Sequence, residues 1–261
     1  MKKRQTGEVE TLLQSHEAWC MNACSRYTDN DSQVWVLRGV NGKLTAVIVI
    51  ARQSLLPVLC TAHIPPLHFI SNIHSLQGKK QDVLIVAAAL GKAGLYAAQN
   101  IDFDVMRLDR PPLGFPPGPA GLVIRRPLQT DMDALAALHA AYEQEEVLPA
   151  ASEFNPAVSR LNTERLFSGQ QMLVAQLGGR LVGKINTNAV TFNRFQIGGV
   201  YVDPVYRGLG IACRMAGEFA SGLIAQGKGI SLFVKKTNTI ARRVYQRIGF
   251  TAAGDYRINY F

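Results

Sequence analysis

Gly198-Gly199-Val200-Tyr201-Val202-Asp203-Pro204-Val205-Tyr206-Arg207-Gly208-Leu209-Gly210-Ile211-Ala212 is the stretch on which the reading of this chain turns. An apolar, β-branched run stops at Asp-Pro, a loop with two glycines follows, and Ile211, Ala212, Met215, Ala216, Phe219 and Leu223 then recur near the helical period. The order is strand, glycine loop, helix. Such a loop leaves backbone N–H groups unpaired at a helix N-terminus, where the dipole adds partial positive charge, so a phosphate can dock there. Gly208 and Gly210 have no Cβ to block its approach. No Gly-Lys-Ser/Thr follows, which excludes the nucleotide P-loop. The third glycine of the dinucleotide fingerprint is also missing.

The order Arg207-x-x-Gly210-x-Ala212, directly after a strand ending Val-Tyr-Val-Asp-Pro, resembles the acyl-CoA loop of the GNAT-superfamily N-acetyltransferases. A second stretch, Asn238-Thr239-Ile240-Ala241-Arg242-Arg243-Val244-Tyr245-Gln246-Arg247-Ile248-Gly249-Phe250, resembles the last helix of the same superfamily. Taken singly, these residues have plain structural explanations: Asn238 as N-cap, Ala241 and Val244 as packing, Gly249 as the residue that ends a helix. Tyr245 is harder to dismiss, because it shares the apolar face with Ala241 and its hydroxyl needs a partner there.

The resemblance implies an acetyl-CoA co-substrate, no metal, and a division of labour. The backbone of Gly208, Leu209, Gly210, Ile211 and Ala212 would hold the pyrophosphate, with Arg207 adding charge. Val200, Tyr201 and Val202 would align the pantetheine arm and place one N–H on the thioester oxygen. Asn238, Ala241 and Tyr245 would make a second cofactor contact, and Tyr245 would protonate the leaving thiolate. The superfamily commonly uses a carboxylate base on the central strand, but Asn193, Gln196 and Ile197 offer none here. Glu146 and Glu143, with Glu145 between them where the first helix meets its loop, are the nearest candidates. A solvated acidic helix end explains them equally well. The activity implied is transfer of an acetyl group to a primary amine of a small molecule or protein. The alternative is a non-catalytic acyl-CoA sensor.

Composition sets outer bounds. A chain of 261 residues, 48% hydrophobic, can bury two modest cores. The net charge of +9 suits an anionic ligand, but the basic residues are scattered, which argues against nucleic acid. No run approaches the roughly 18 apolar residues of a membrane span, and Met1 to Arg4 is followed by polar residues rather than an apolar signal core. Four unevenly spaced cysteines read as reduced thiols of a cytoplasmic protein. His16, Cys20 and Cys24 share a helix face, yet the outer two lie about 12 Å apart along the axis, too far for one zinc ion. A homodimer is compatible with all of this.

Along the chain, residues 10–27 read as a helix and Asn41-Gly42 as a type I′ hairpin turn between strands 33–38 and 44–51. A third strand at 57–62 is broken at Pro65-Pro66. A helix capped by Asp82 and a strand at 101–109 follow, and His63, His68 and His74 read as structural or exposed. Residues 110–121, with five prolines and three glycines, form a semi-rigid linker. Beyond it come strand 122–126, a helix capped by Thr130 with Leu135, Leu138, His139 and Tyr142 inward and its end near Pro149, a helix opened by Asn155-Pro156, and a hairpin across Gly178-Gly179. The full C-terminal order, β-α-α-β-β-β-α-β-α-β, is that of a GNAT domain. The fold class expected is α+β: a GNAT-like mixed sheet flanked by helices over 122–261, preceded by a smaller α/β domain over 1–109. The first domain could be a degenerate copy of the same fold that walls the acceptor groove.

Overall fold

The computed structural model describes residues 3–64, 67, 72–148 and 153–261, so Pro65, Pro66, His68 and Pro149 lie outside the described residues. The first half comprises α1 (Lys3–Ser15), α2 (Met21–Arg26), β1 (Gln33–Arg38), β2 (Leu44–Ala51), β3 (Ser54–Leu59), β4 (Ser75–Lys79), α3 (Lys80–Gly91) and β5 (Gln99–Leu108). The second comprises β6 (Val123–Arg125), α4 (Met132–Tyr142), α5 (Pro156–Gly169), β7 (Met172–Leu177), β8 (Arg180–Val190), β9 (Arg194–Val202), α6 (Ile211–Ile224), β10 (Gly229–Lys235), α7 (Thr239–Arg247) and β11 (Thr251–Tyr260).

All the strands join one mixed sheet in the order β1-β2-β3-β4-β11-β5-β10-β9-β8-β7-β6. Two pairs are parallel, β3 with β4 and β9 with β10; the other neighbours run antiparallel. The order has a near twofold symmetry about the central pair, β11 and β5. Each half sends the strand after its last helix across to the other: β5 lies between β11 and β10, and β11 between β4 and β5. The largest core lies between the sheet and α6, where Met215, Ala216, Phe219 and Leu223 meet Val182, Ile185, Phe195 and Ile197. Smaller cores sit on the two faces of β2 and β3, which are buried almost throughout, as a two-sided strand requires.

Several local expectations are corrected. The helix expected over 10–27 is broken after Ser15, and α2 starts at Met21. The break lets Glu17, buried in the turn, accept hydrogen bonds from Asn193 N at 2.7 Å and from Thr191 Oγ1 at the tip of the β8–β9 hairpin. At the β1–β2 hairpin only Gly42 has positive φ, so that turn is not type I′. The paired left-handed residues of a two-residue loop occur instead at Arg52 and Gln53, φ 48° and 61°, between β2 and β3. The third strand runs 54–59 rather than 57–62. Thr130 does not cap α4; Asp131 takes the Leu128 N–H at 2.6 Å and pairs with Arg125. Within residues 110–121 the Phe115 ring is seated on Gly217, with Arg214 over that ring at 5.2 Å.

Asp102 on β5 ties the shared strands together. It accepts from Arg257 of β11 at 2.7 and 2.9 Å and from Lys80 of α3 at 2.8 Å. These partners, Arg257 foremost, hold its carboxyl well below the usual carboxylate range. Asp102→Asn is expected to cost about 1.5–3 kcal/mol in urea unfolding at neutral pH. Because the native pKa is depressed, that contribution is complete above about pH 4 and is lost as pH falls below it, so the gap to wild type closes in acid.

Candidate active site

The site begins where β9 and β10 part. They pair from Arg194 opposite Gly229 to Ile197 opposite Leu232, after which β10 continues against β5 and β9 runs on alone on that side. On its other side β9 pairs with β8, but Lys184 faces Tyr201 and Asn186 faces Gly198, so β9 has one residue too many. The surplus forms a β-bulge at Gly199, φ 58°, and bends the strand where it leaves β10. Main-chain groups of Val200 to Val202 therefore border an opening in the sheet.

The glycine loop closes one end of that opening. Asp203 Oδ1 accepts from Val205 N at 3.0 Å and shapes a single turn over Pro204–Tyr206. Gly208 and Gly210 both take positive φ, 81° and 79°, which side-chain-bearing residues rarely adopt. Among the described residues no side chain caps α6, so its first N–H groups, which have no acceptor within the helix, gain none from a cap. Ile211 is buried beneath the loop while Leu209 is exposed.

Across the opening, α4 runs into a π-helical turn, Glu143–Val147, whose three carboxylates diverge. Glu145 grips Arg207 with both oxygens, at 2.9 and 2.8 Å, while Arg207 Nε donates to Val202 O at 2.9 Å. The Arg207 guanidinium in turn depresses the Glu145 pKa. Glu146 accepts from Asn238 Nδ2 at 3.1 Å and lies 3.4 Å from Lys235 Nζ. Glu143 accepts from Asn162 Nδ2 at 3.1 Å and meets His139 Nε2 at 3.3 Å. A cavity of about 320 Å³ opens between this turn and the start of α7, walled by Glu145, Glu146, Lys235 and Asn238.

α7 supplies the second wall. Asn238 caps it, its Oδ1 accepting from Ala241 N at 3.0 Å. Ala241 packs half-buried against the core, and Tyr245 is buried with its ring edge-on to Phe250 at 5.7 Å. Burial raises the Tyr245 phenol pKa, and Tyr142 and Glu146 lie near enough to add to that. Glu145, Glu146 and Asn238 thus share one cavity, Arg207 meets it through Glu145, Tyr245 is buried with Phe250, and Glu143 is engaged by Asn162 and His139.

Beside His139 and Tyr142, which the helix pattern places inward, the second half holds a residue that the pattern did not single out. Lys184 on β8 is fully buried; its Nζ donates to Gly199 O at 2.9 Å and to Asn186 Oδ1 at 3.3 Å, and lies 4.5 Å from the centre of the Tyr142 ring. Burial lowers its pKa to about 7. His139, buried beside it, is lowered to about 4 by burial and then by Lys184, and its Nδ1 has no hydrogen-bond partner among the described residues. Tyr142 is pushed up to about 12 by burial, against a lowering influence of the Gly199 backbone.

The first half has its own parallel pair, and there the opening is closed. β3 and β4 pair only at Ser54–Ser75 and Leu55–Leu76. Beyond that point the buried carboxylate of Asp82 accepts from Leu59 N at 3.1 Å, and Gly78 lies so close to Pro57 that a Cβ would sit 3.2 Å from its carbonyl oxygen. No counterpart of α6 stands between β3 and β4 among the described residues.

Residues 135–250 match the acetyltransferase (GNAT) family model. The C-terminal half carries a GNAT-family domain. No curated protein matches the chain. Among solved structures, a GNAT-family acetyltransferase from Colwellia psychrerythraea is 12% identical with a TM-score of 0.61, over 98% of this chain and 97% of that one. A tandem GNAT protein from the clavulanic acid biosynthesis pathway is 15% identical with a TM-score of 0.54, over 97% and 95% of the two chains. A GNAT-family protein from Novosphingobium aromaticivorans is 23% identical with a TM-score of 0.48, and the chain covers 65% of its length and 62% of its own. For the first two the likeness is one of fold, and it spans both halves.

Proposed function

We propose that residues 122–261 bind acetyl-CoA in the opening between β9 and β10 and transfer its acetyl group to a primary amine of a small molecule or protein. The observation that carries this reading is the asymmetry of the two parallel pairs: β9 and β10 part beside an uncapped helix N-terminus, whereas the gap between β3 and β4 is filled. Backbone N–H groups from Gly208 to Ala212 hold the pyrophosphate. Val200, Tyr201 and Val202 align the pantetheine arm and offer an N–H to the thioester oxygen. The amine attacks the carbonyl carbon, the C–S bond breaks, and Tyr245 protonates the thiolate. Glu146, which reaches across the opening to Asn238, takes the proton from the amine; Glu143, committed to His139 and Asn162, positions the helix end instead. Residues 1–109 complete the sheet through β5 and wall the acceptor side, with 110–121 as the connection. All four cysteines are free thiols, in keeping with a cytoplasmic enzyme.

Calorimetry with acetyl-CoA, followed by thiol release over a panel of amines, tests the reading. Tight binding with no CoA release for any amine would favour the sensor. Arg207 provides a second test, because Glu145 occupies both of its terminal nitrogens. Glu145→Gln is expected to tighten acetyl-CoA binding by up to about threefold at low ionic strength, with the gain vanishing in high salt, as for other half-exposed ion pairs.

A further inference from the structure

We propose that Lys184 is a positioning residue that acts through the Gly199–Val200 peptide, strengthening the hydrogen bond this bend of β9 makes to the thioester carbonyl. The inference rests on the acyl-CoA reading and adds to it a residue that lies outside the cofactor motifs in sequence.

Lys184 is a fully buried ammonium whose hydrogen-bond acceptors are neutral, Asn186 Oδ1 and Gly199 O. Burying such a group is costly unless its donors are all used. Its remaining side meets the face of Tyr142, so the cation is held by two oxygens and a ring. The backbone is shaped to receive it. Gly199 sits at φ 58°, and a Cβ there would overlap Asn186 Oδ1 and fall 2.9 Å from Lys184 Nζ. Only glycine lets lysine, asparagine and strand meet at this point. An ammonium on the Gly199 carbonyl draws electron density from the amide and makes the N–H of the same peptide, that of Val200, a stronger donor. That N–H belongs to the segment assigned to the thioester oxygen.

Acetyl-CoA and CoA differ by the carbonyl this contact would serve, so their affinities separate the role from general stability. Lys184→Met is expected to weaken acetyl-CoA binding by about tenfold, the scale of a hydrogen bond to a charged group, while CoA changes less than twofold. Lys184→Arg keeps the charge and is expected to recover most of the difference. In wild type, the infrared carbonyl stretch of bound ¹³C-acetyl-CoA should lie below its position in Lys184→Met. If that variant does not fold, the wild-type ratio of the two affinities measured from pH 6 to pH 8.5 serves instead, and should fall as Lys184 loses its proton. The titratable groups facing Lys184 are His139, Tyr142 and Glu143 at the end of α4 and Tyr201 on β9. His139 near 4 and Tyr142 near 12 stay neutral throughout that interval. Equal weakening of both ligands, no weakening of either, or a pH-independent ratio would overturn the role of Lys184 and leave the acyl-CoA reading intact. Failure of wild type to bind either ligand would overturn both.

Discussion

Tyr245→Phe is expected to lower kcat for acyl transfer by about 100-fold or more, the usual contribution of a positioned general acid, while the Kd for acetyl-CoA stays within about twofold. The substitution removes one oxygen and keeps the ring that packs edge-on to Phe250. Thermal unfolding should therefore change little. Burial raises the phenol pKa, so Tyr245 is protonated across the neutral range and available as a donor. A rate that declines in wild type between pH 7 and 9 thus belongs to another group, and the same decline should persist in Tyr245→Phe. Equal kcat in the two proteins would remove Tyr245 from the chemistry. A matching rise in Kd would make it only part of the pocket.

What the sequence disclosed, and what it hid, follows from the range of the interactions involved. The loop from Asp203 to Gly210 is local: an Asp-Pro stop, two glycines and a helical period specify it within twenty residues, and the structure shows the turn, both positive φ angles and the uncapped helix. Asn155 is legible for the same reason, capping α5 through Ala157 N and Val158 N. The left-handed turn at Arg52-Gln53 was invisible, since neither residue favours positive φ; tight pairing of β2 with β3 imposes it. β4 escaped notice because Ser75-Leu76-Gln77-Gly78-Lys79 has weak strand character and its long pairing partner, β11, is nearly two hundred residues away. Lys184 was hidden by its pattern. In the alternating run Val182-Gly183-Lys184-Ile185-Asn186, polar residues signal a face open to water, and here α4 covers that face instead.

The exchange of β5 and β11 leads to the other large effect. Residues 111–261 produced alone are expected to be insoluble or unfolded, whereas the full chain cut once within 110–121 should migrate on gel filtration as one particle. In the fragment, β10 loses its partner from Phe103 to Leu108, and β11 loses pairing on both sides, to β4 and to β5. β11 would become a ten-residue strand with no hydrogen-bonded neighbour, and β10 an exposed apolar edge carrying Ile230, Leu232 and Val234. Asp102 would no longer be present to neutralise Arg257. A single cut breaks none of these pairs, because each strand stays seated in the opposite half and Phe115 and Leu113 are anchored separately, on Gly217 and on Ile248 O. Supplying residues 1–110 in trans during refolding should restore solubility to 111–261. A soluble, cooperatively unfolding 111–261 fragment would mean that β10 and β11 can pair directly, and that the first half contributes a wall rather than part of the frame.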